Sequence, residues 1–458
     1  MARALRLEVA AARAVGSLSR ATGRGGGTTL PGKLLWKLHP GVIDTLAIRL
    51  PQGVVALSAT NGKTTTAAMA AAILGRRHGL AWNQAGANLA SGVASALLAA
   101  PDAELGLLEA DELALPHLLP RLRPRVVALG NLFRDQLDRY GELERIAARW
   151  REAIAALPAD TVLVLNADDP LVASLGEGRE RVIRYGVHDP VHARPSLQHA
   201  ADSKHCIRCG APYNYRAAYV GHLGDYTCRA CGHARPPLDL AAESIVLDGL
   251  EGLAFDLGSA DGTHRIRLGV PGLYNVYNAL AAVAIADACN VPRSASVAAL
   301  AGFRAAFGRF ERLTVGDRRA LVLLIKNPAG ANEAIRTLVE GGAPATLLVA
   351  LEDAIADGRD VSWIWDVDFE PLLERVERIV VSGARAAELA LRFTYAGVPR
   401  ARLEIVPELE RAFDLGLDLV GAGGELAVLP TYTAMLALQR IVAARGHVRP
   451  YWERSAAP

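Results

Sequence analysis

Lys63 stands in Ala59-Thr60-Asn61-Gly62-Lys63-Thr64-Thr65, directly after the apolar run Val54–Ser58 and ahead of the Ala-rich stretch Ala67–Gly79. Strand, glycine-containing turn, then helix is an arrangement that binds phosphates, because backbone N–H groups and a helix N-terminus face the anion. Gly62 lets the backbone approach, Lys63 reaches the terminal phosphates, and Thr64 offers a hydroxyl to magnesium. Thr60, Asn61 and Thr65 complete the loop. The general pattern wants glycine where Leu57 stands, so the match is to a shorter form, TNGKTT. Lysine is scarce: it occurs only at Lys33, Lys37, Lys63, Lys204 and Lys326, and the other basic residues are Arg. A lysine that survives such a bias marks a place where a planar guanidinium does not replace a compact ammonium. That singles out Lys63 and Lys326, the latter beside Asn327 and Pro328 after an apolar run, where it could meet a phosphate; a surface lysine is the plain alternative.

Cys206-Ile207-Arg208-Cys209 and Cys228-Arg229-Ala230-Cys231 are separated by 18 residues. This is the spacing of a tetrathiolate zinc ribbon, with a Gly after each second Cys permitting the tight turn. Four protein ligands leave no open position, so the expected role is structural. The neighbouring His205, His222 and His233 are expected at the surface or around the ligands, and Cys289 as a small buried hydrophobe. A third cluster comprises Asp353, Asp357, Asp360, Asp366 and Asp368 around Trp363 and Trp365. Two tryptophans in a polar loop suit a partner or ligand surface, and a solvated acidic loop is the plain alternative.

These residues need elements to hold them. Strands are expected at Val54–Ser58, Leu105–Leu108, Arg125–Leu129 and Thr161–Leu165 with helices between, including one over Ala67–Gly79, which argues a mostly parallel, doubly wound sheet. Residues 201–235 read as an insertion. After a break near Phe310–Asp317, a second α/β run has candidate strands at Ala320–Ile325, Ala345–Ala350, Ile379–Ser382 and Leu426–Leu429. The expected division is an N-terminal helical and Gly-rich segment over 1–50, a nucleotide-binding unit over 51–312 and a smaller C-terminal α/β domain over 313–458. The Arg-punctuated start, MARALRLEVAAARAV, reads as a docked amphipathic helix.

With 458 residues, 51% of them hydrophobic and 21% charged, the composition is globular and long enough for two or three cores. A net charge of +2 gives no argument for nucleic acid. No uncharged apolar run reaches the ~18 residues of a membrane span, and paired CxxC motifs favour metal over disulfides, so a cytoplasmic protein is expected.

The phosphate loop resembles that of the Mur ligase superfamily, and the likeness continues along the chain. Leu108-Glu109-Ala110-Asp111-Glu112 ends a strand where that family places a magnesium-binding Glu, implying Glu109. Asn131-Leu132-Phe133-Arg134-Asp135-Gln136-Leu137-Asp138-Arg139-Tyr140 resembles its Asn-x-x-x-Asp-His-Leu-Asp-x-His segment, with Gln136 and Tyr140 in place of the histidines. Asn166-Ala167-Asp168-Asp169-Pro170 is similar too. Gly272-Leu273-Tyr274-Asn275-Val276-Tyr277-Asn278 resembles Gly-x-His-Asn-x-x-Asn, which implies Asn275 and Asn278 near the adenine. Phe307-Gly308-Arg309-Phe310-Glu311 resembles Gly-Arg-x-Glu, which implies Arg309 facing the nucleotide. Within that superfamily the Cys pairs, Gly23–Thr28, Lys326-Asn327-Pro328-Ala329-Gly330 and Ala356–Asp366 resemble the MurT branch, the synthetase subunits of lipid II isoglutaminyl synthases. That likeness implies a Mur-type α/β fold with an inserted zinc ribbon, and ATP, magnesium and zinc as cofactors. It also implies amidation of D-isoglutamate in the stem peptide of lipid II at the inner membrane face, with ammonia from a glutaminase partner of the GatD type. An Asp of this chain would complete the partner's Cys–His pair, Asp357 being favoured and Asp360 the alternative. Cys289 stands in no nucleophile-like turn, consistent with ammonia coming from elsewhere. The competing readings are a Mur-type amino-acid or polyglutamate ligase working without a partner, and an ATP-binding scaffold without catalysis.

Overall fold

The computed structural model describes residues 30–83, 86–135, 143–194, 196–198, 201–304 and 310–448. The expected N-terminal helix, Gly23–Thr28, Gln136–Tyr140 and Arg309 lie outside the described residues. In chain order the strands are β1 (Val54–Ser58), β2 (Leu80–Trp82), β3 (Leu105–Glu109), β4 (Val126–Leu129), β5 (Val162–Asn166), β6 (Val182–Val187), β7 (Asn214–Val220), β8 (Leu223–Thr227), β9 (Leu240–Asp248), β10 (Gly252–Ser259), β11 (Gly262–Leu268), β12 (Glu311–Val315), β13 (Arg318–Val322), β14 (Thr346–Ala350), β15 (Arg378–Ser382), β16 (Leu403–Ile405) and β17 (Glu425–Pro430).

The larger sheet runs β11-β10-β9-β6-β5-β4-β1-β3-β2. From β2 to β9 every neighbour is parallel. All five residues of β1 are buried, as a parallel strand covered on both faces requires. Val55 and Leu57 enter one core, under the helices Lys63–Leu74 and Tyr274–Ala288. Val54 and Ala56 enter the other, under Val42–Ala47, Ala90–Ala99, Leu115–Leu122 and Leu143–Ala155. Leu35 and Val42 pack in that same core, so residues 30–50 are built onto the sheet. The antiparallel extension β9-β10-β11 was not expected from the sequence.

The smaller sheet runs β12-β13-β17-β14-β15-β16, parallel except for the β12–β13 hairpin. The expected break near 310–317 is in fact β12, which pairs along its whole length with β13; the expected boundary at 312/313 falls inside it. The nucleotide-loop helix begins at Lys63, earlier than the expected Ala67, because left-handed Gly62 (φ 85°) turns the chain straight into it.

Candidate active site

The strand order β4-β1-β3 decides what meets at the phosphate loop, since the segments leaving three adjacent parallel strands emerge at one edge. β1 supplies residues 59–62, β3 ends on Glu109, and Asn131 follows β4. The Asn131 amide clasps the Asn61 backbone from both sides, accepting from Asn61 N (2.8 Å) and donating to Asn61 O (3.0 Å). Thr60 N donates to Asn131 O (2.9 Å), and Thr60 Oγ1 accepts from Phe133 N (3.1 Å). On the other side Asn83 pins β3, accepting from Glu109 N (2.8 Å) and donating to Glu109 O (2.7 Å). A Cβ at Gly62 would collide with Asn278 Oδ1, so only glycine fits between the loop and the helix Tyr274–Ala288.

Lys63 is buried. Its ammonium donates to Ala59 O and lies 2.8 Å from Glu112 Oε2. Burial works against the charge, but Glu112, Glu109 and Asp111 outweigh it and hold the Lys63 pKa above its ordinary value. Thr64 Oγ1 donates to Glu109 Oε1 (3.3 Å). Glu109, Asp111 and Glu112 are all buried, so three carboxylates crowd one ammonium. Phosphates entering here need additional positive charge, and the hard oxygen donors of Thr64 and Glu109 fit magnesium. Glu112 is the residue that sequence reasoning passed over; its signal was the run of three carboxylates between 109 and 112.

Asn275 and Asn278 lie behind the loop. Asn278 Nδ2 donates to Asn275 Oδ1 (2.9 Å) and Asn278 Oδ1 accepts from Thr66 Oγ1 (3.2 Å), while Asn275 Nδ2 donates to Pro271 O (2.7 Å). A cleft of about 810 Å³, counting its open mouth, runs from Asn61, Gly62, Thr65 and Asn278 across Tyr274 to Lys326, Gly330 and Glu333 of the smaller-sheet unit. Lys326 ion-pairs with buried Asp135, bridging the two units.

Cys206, Cys209, Cys228 and Cys231 bring their Sγ atoms within 4.8 Å of one another, a set suited to one tetrahedral metal ion. The ribbon is tied to the site through its hairpin β7–β8. His222, expected at the surface or around the zinc ligands, is instead fully buried at the hairpin turn, 3.3 Å from Asp169 Oδ2. The same carboxylate oxygen accepts from Leu132 N (2.8 Å), beside the Asn131 that clasps the phosphate loop. His233 is buried against Tyr213 Oη (2.6 Å) and His205 is exposed. Cys289 is buried at the end of its helix.

The acidic loop separates its two candidate carboxylates. Asp357 is buried, accepting from Thr433 N (2.9 Å) and from the Thr433 hydroxyl at the start of the helix Tyr432–Ala444. Asp360 is exposed, with Oδ1 accepting from Ser362 N (2.9 Å); bonds from Ser362 hold its carboxyl below the usual range. Trp365 is exposed and stacks edge-on against exposed Tyr395, ring centroids 5.6 Å apart.

A family profile described as the Mur ligase middle domain matches residues 58–222, and one described as the MurT ligase C-terminal domain matches residues 324–435. The chain is 34% identical to the lipid II isoglutaminyl synthase (glutamine-hydrolyzing) subunit MurT of Streptococcus pneumoniae, over 93% of this chain and 94% of that one. It is 30% identical to the Staphylococcus aureus (strain N315) protein of the same name, over 91% and 93%. Among solved structures it resembles a pseudomurein peptide ligase type C from Methanothermus fervidus (TM-score 0.68, 20% identity, 88% of this chain and 80% of that one). It also resembles the Mycobacterium tuberculosis folylpolyglutamate synthase complexed with ADP (TM-score 0.61, 17% identity, 90% and 94%). These two likenesses are of fold, whereas the matches to the MurT subunits run nearly end to end in sequence: the chain belongs to the MurT family of Mur ligases.

Proposed function

We propose that this chain is the synthetase subunit of a glutamine-dependent amidotransferase that converts the α-carboxylate of D-isoglutamate, in the stem peptide of lipid II, to the amide of D-isoglutamine. The observation that carries the reading is end-to-end similarity to lipid II isoglutaminyl synthase subunits in a chain that gathers Lys63, Thr64 and Glu109 beside the loop residues Asn61, Gly62 and Thr65, which line an interdomain cleft. The chemistry follows from what Mur-type ligases do with ATP. The carboxylate oxygen attacks the γ-phosphorus and ADP departs, leaving an acyl phosphate. Ammonia then attacks the carbonyl carbon and phosphate leaves with its bonding pair. Such transfers need positioning and charge neutralisation more than covalent help. The loop backbone and Lys63 supply these for the phosphates, and Lys326 faces the cleft from the other unit. Magnesium, held by Thr64 and Glu109, would contribute further neutralisation of the phosphate charge.

Ammonia would come from a partner glutaminase of the GatD type. The lipid-linked substrate places the work at the cytoplasmic face of the membrane; among the described residues no helix is long and apolar enough to cross it. The chain purified with its glutaminase is expected to amidate lipid II with either glutamine or ammonium, forming ADP. Hydroxylamine in place of ammonia is expected to yield a hydroxamate, the mark of an acyl phosphate. Incorporation of an amino acid in place of ammonia, without a partner, would overturn the reading.

For the ribbon we propose zinc, and elemental analysis is expected to find one zinc per chain. Structural zinc contributes roughly 10–16 kcal/mol in isolated finger peptides. The loss in Cys206→Ser is expected to be smaller, because Tyr213 and Tyr226 pack beside the buried cysteines and the hairpin is anchored on Asp169. Metal content and melting temperature should fall together. Reduced, metal-free protein with four freely reacting thiols would exclude the assignment.

A further inference from the structure

Asn61 is held by two different parts of the molecule. Its backbone is clasped by Asn131 of the larger-sheet unit, and its side chain is taken by Asn327 of the smaller-sheet unit. The two side-chain amides pair reciprocally: Asn61 Nδ2 donates to Asn327 Oδ1 (3.1 Å) and Asn327 Nδ2 donates to Asn61 Oδ1 (3.0 Å). Asn327 is itself fixed. It is 1% exposed and caps the helix Pro328–Glu340, its Oδ1 also accepting from Gly330 N (2.9 Å). A rigid helix cap on one unit is thus bonded to the second residue before Lys63 on the other.

We propose that Asn327 is a positioning residue that couples docking of the smaller-sheet unit to the geometry of the phosphate loop. The physical basis is linkage. If the amide pair forms only when the two units are closed, and the clamped loop binds phosphates better than the unclamped one, then nucleotide and closure stabilise each other to the same degree. The pair suits this role better than an ion pair would. Two neutral amides satisfy each other without bringing charge to the phosphates, and a planar two-bond contact fixes orientation as well as distance. Lys326–Asp135 and Arg194–Glu333 also join the units, but neither reaches the loop itself. The proposal rests on the nucleotide reading of this cleft.

The test uses the full chain with its glutaminase and ADP·Mg as the probe. Asn327→Ser keeps a good helix cap but is too short to reach Asn61. Its ADP affinity is expected to fall about 5- to 20-fold, the scale of two neutral hydrogen bonds. The KM for ATP is expected to rise by a similar factor, with a smaller change in kcat. ADP is expected to compact the unaltered complex in small-angle scattering, and to compact Asn327→Ser less. Introduced into Asn61→Ala, the same substitution is expected to change ADP affinity less than about 2-fold, since the partner side chain is already gone. Additive losses, or unchanged affinity in Asn327→Ser, would overturn the coupling while leaving the nucleotide site standing. Failure of the unaltered complex to bind ADP would instead overturn the nucleotide reading on which the coupling rests.

Discussion

Lys63→Ala is expected to lower ATP-dependent amidation by about 10²- to 10³-fold, the cost of removing one preorganised charged donor from a transferring phosphoryl group. The structure adds a second consequence. Lys63 is the ammonium that compensates Glu112, 2.8 Å away, and both are nearly inaccessible. Removing it strands a carboxylate beside Glu109 and Asp111, and breaking such a buried pair from one side typically costs about 3–5 kcal/mol. The single variant is therefore expected to melt earlier as well as to turn over slowly, and activity alone would not separate the two effects. Adding Glu112→Gln removes the stranded charge. The double variant is expected to regain most of the lost melting temperature while amidation stays low. Recovery of turnover along with stability would show that Lys63 serves the fold and not the phosphates, and full activity of Lys63→Ala would remove the loop from the mechanism.

The residues legible in the sequence are those whose chemistry is written in contiguous letters. Residues 59–65 need only a strand before them and a helix after, and the two Cys pairs carry their geometry in their spacing. What was not legible lies in contacts between distant segments. Asn61 and Asn327 are 266 positions apart, and nothing in either motif shows that one amide answers the other. Glu112 and Glu109 sit in one short run, and only the register of β3 beside β1 decides which meets Lys63 and which meets Thr64. His222 reads as a residue at the surface or around the zinc ligands, and its burial follows from the hairpin folding back onto Asp169. The antiparallel strands β9–β11 were missed because their alternation of small, polar and apolar residues carries no sign of a parallel sheet's end. Asp357 and Asp360 differ by three positions and by nothing in composition. The structure turns one inward to cap a helix and leaves the other at the surface.

The sequence reading favours Asp357 as the carboxylate offered to a partner's Cys–His pair, with Asp360 as the alternative; from their placement we propose Asp360. Asp357 is committed: the Thr433 amide and hydroxyl take its oxygens, while burial still pushes its carboxyl above the usual range. Asp360 is exposed, its carboxyl held in orientation and below the usual range by Ser362, on the loop that presents Trp365 beside Tyr395. A carboxylate that must reach a histidine on another chain has to be available at the surface before the complex forms. Asp360→Asn is therefore expected to abolish glutamine-dependent amidation, by about 10³- to 10⁴-fold. An amide preserves the shape but cannot stabilise an imidazolium, and the same exchange in a serine-protease triad costs about 10⁴ in turnover. Amidation driven by high free ammonium should be largely retained, because the acyl-phosphate site proposed above uses Lys63, Thr64 and Glu109 and not this loop. Asp357→Asn is expected to keep the Thr433 N contact and most of both activities, with at most a modest fall in melting temperature. The decisive measurement is the ratio of glutamine- to ammonium-dependent rates in the purified complex. If that ratio collapses for Asp357→Asn and not for Asp360→Asn, the inward carboxylate must swing out on binding the partner. If it is unchanged in both, the glutaminase completes its triad without this loop, and the ligase half of the reading stands by itself.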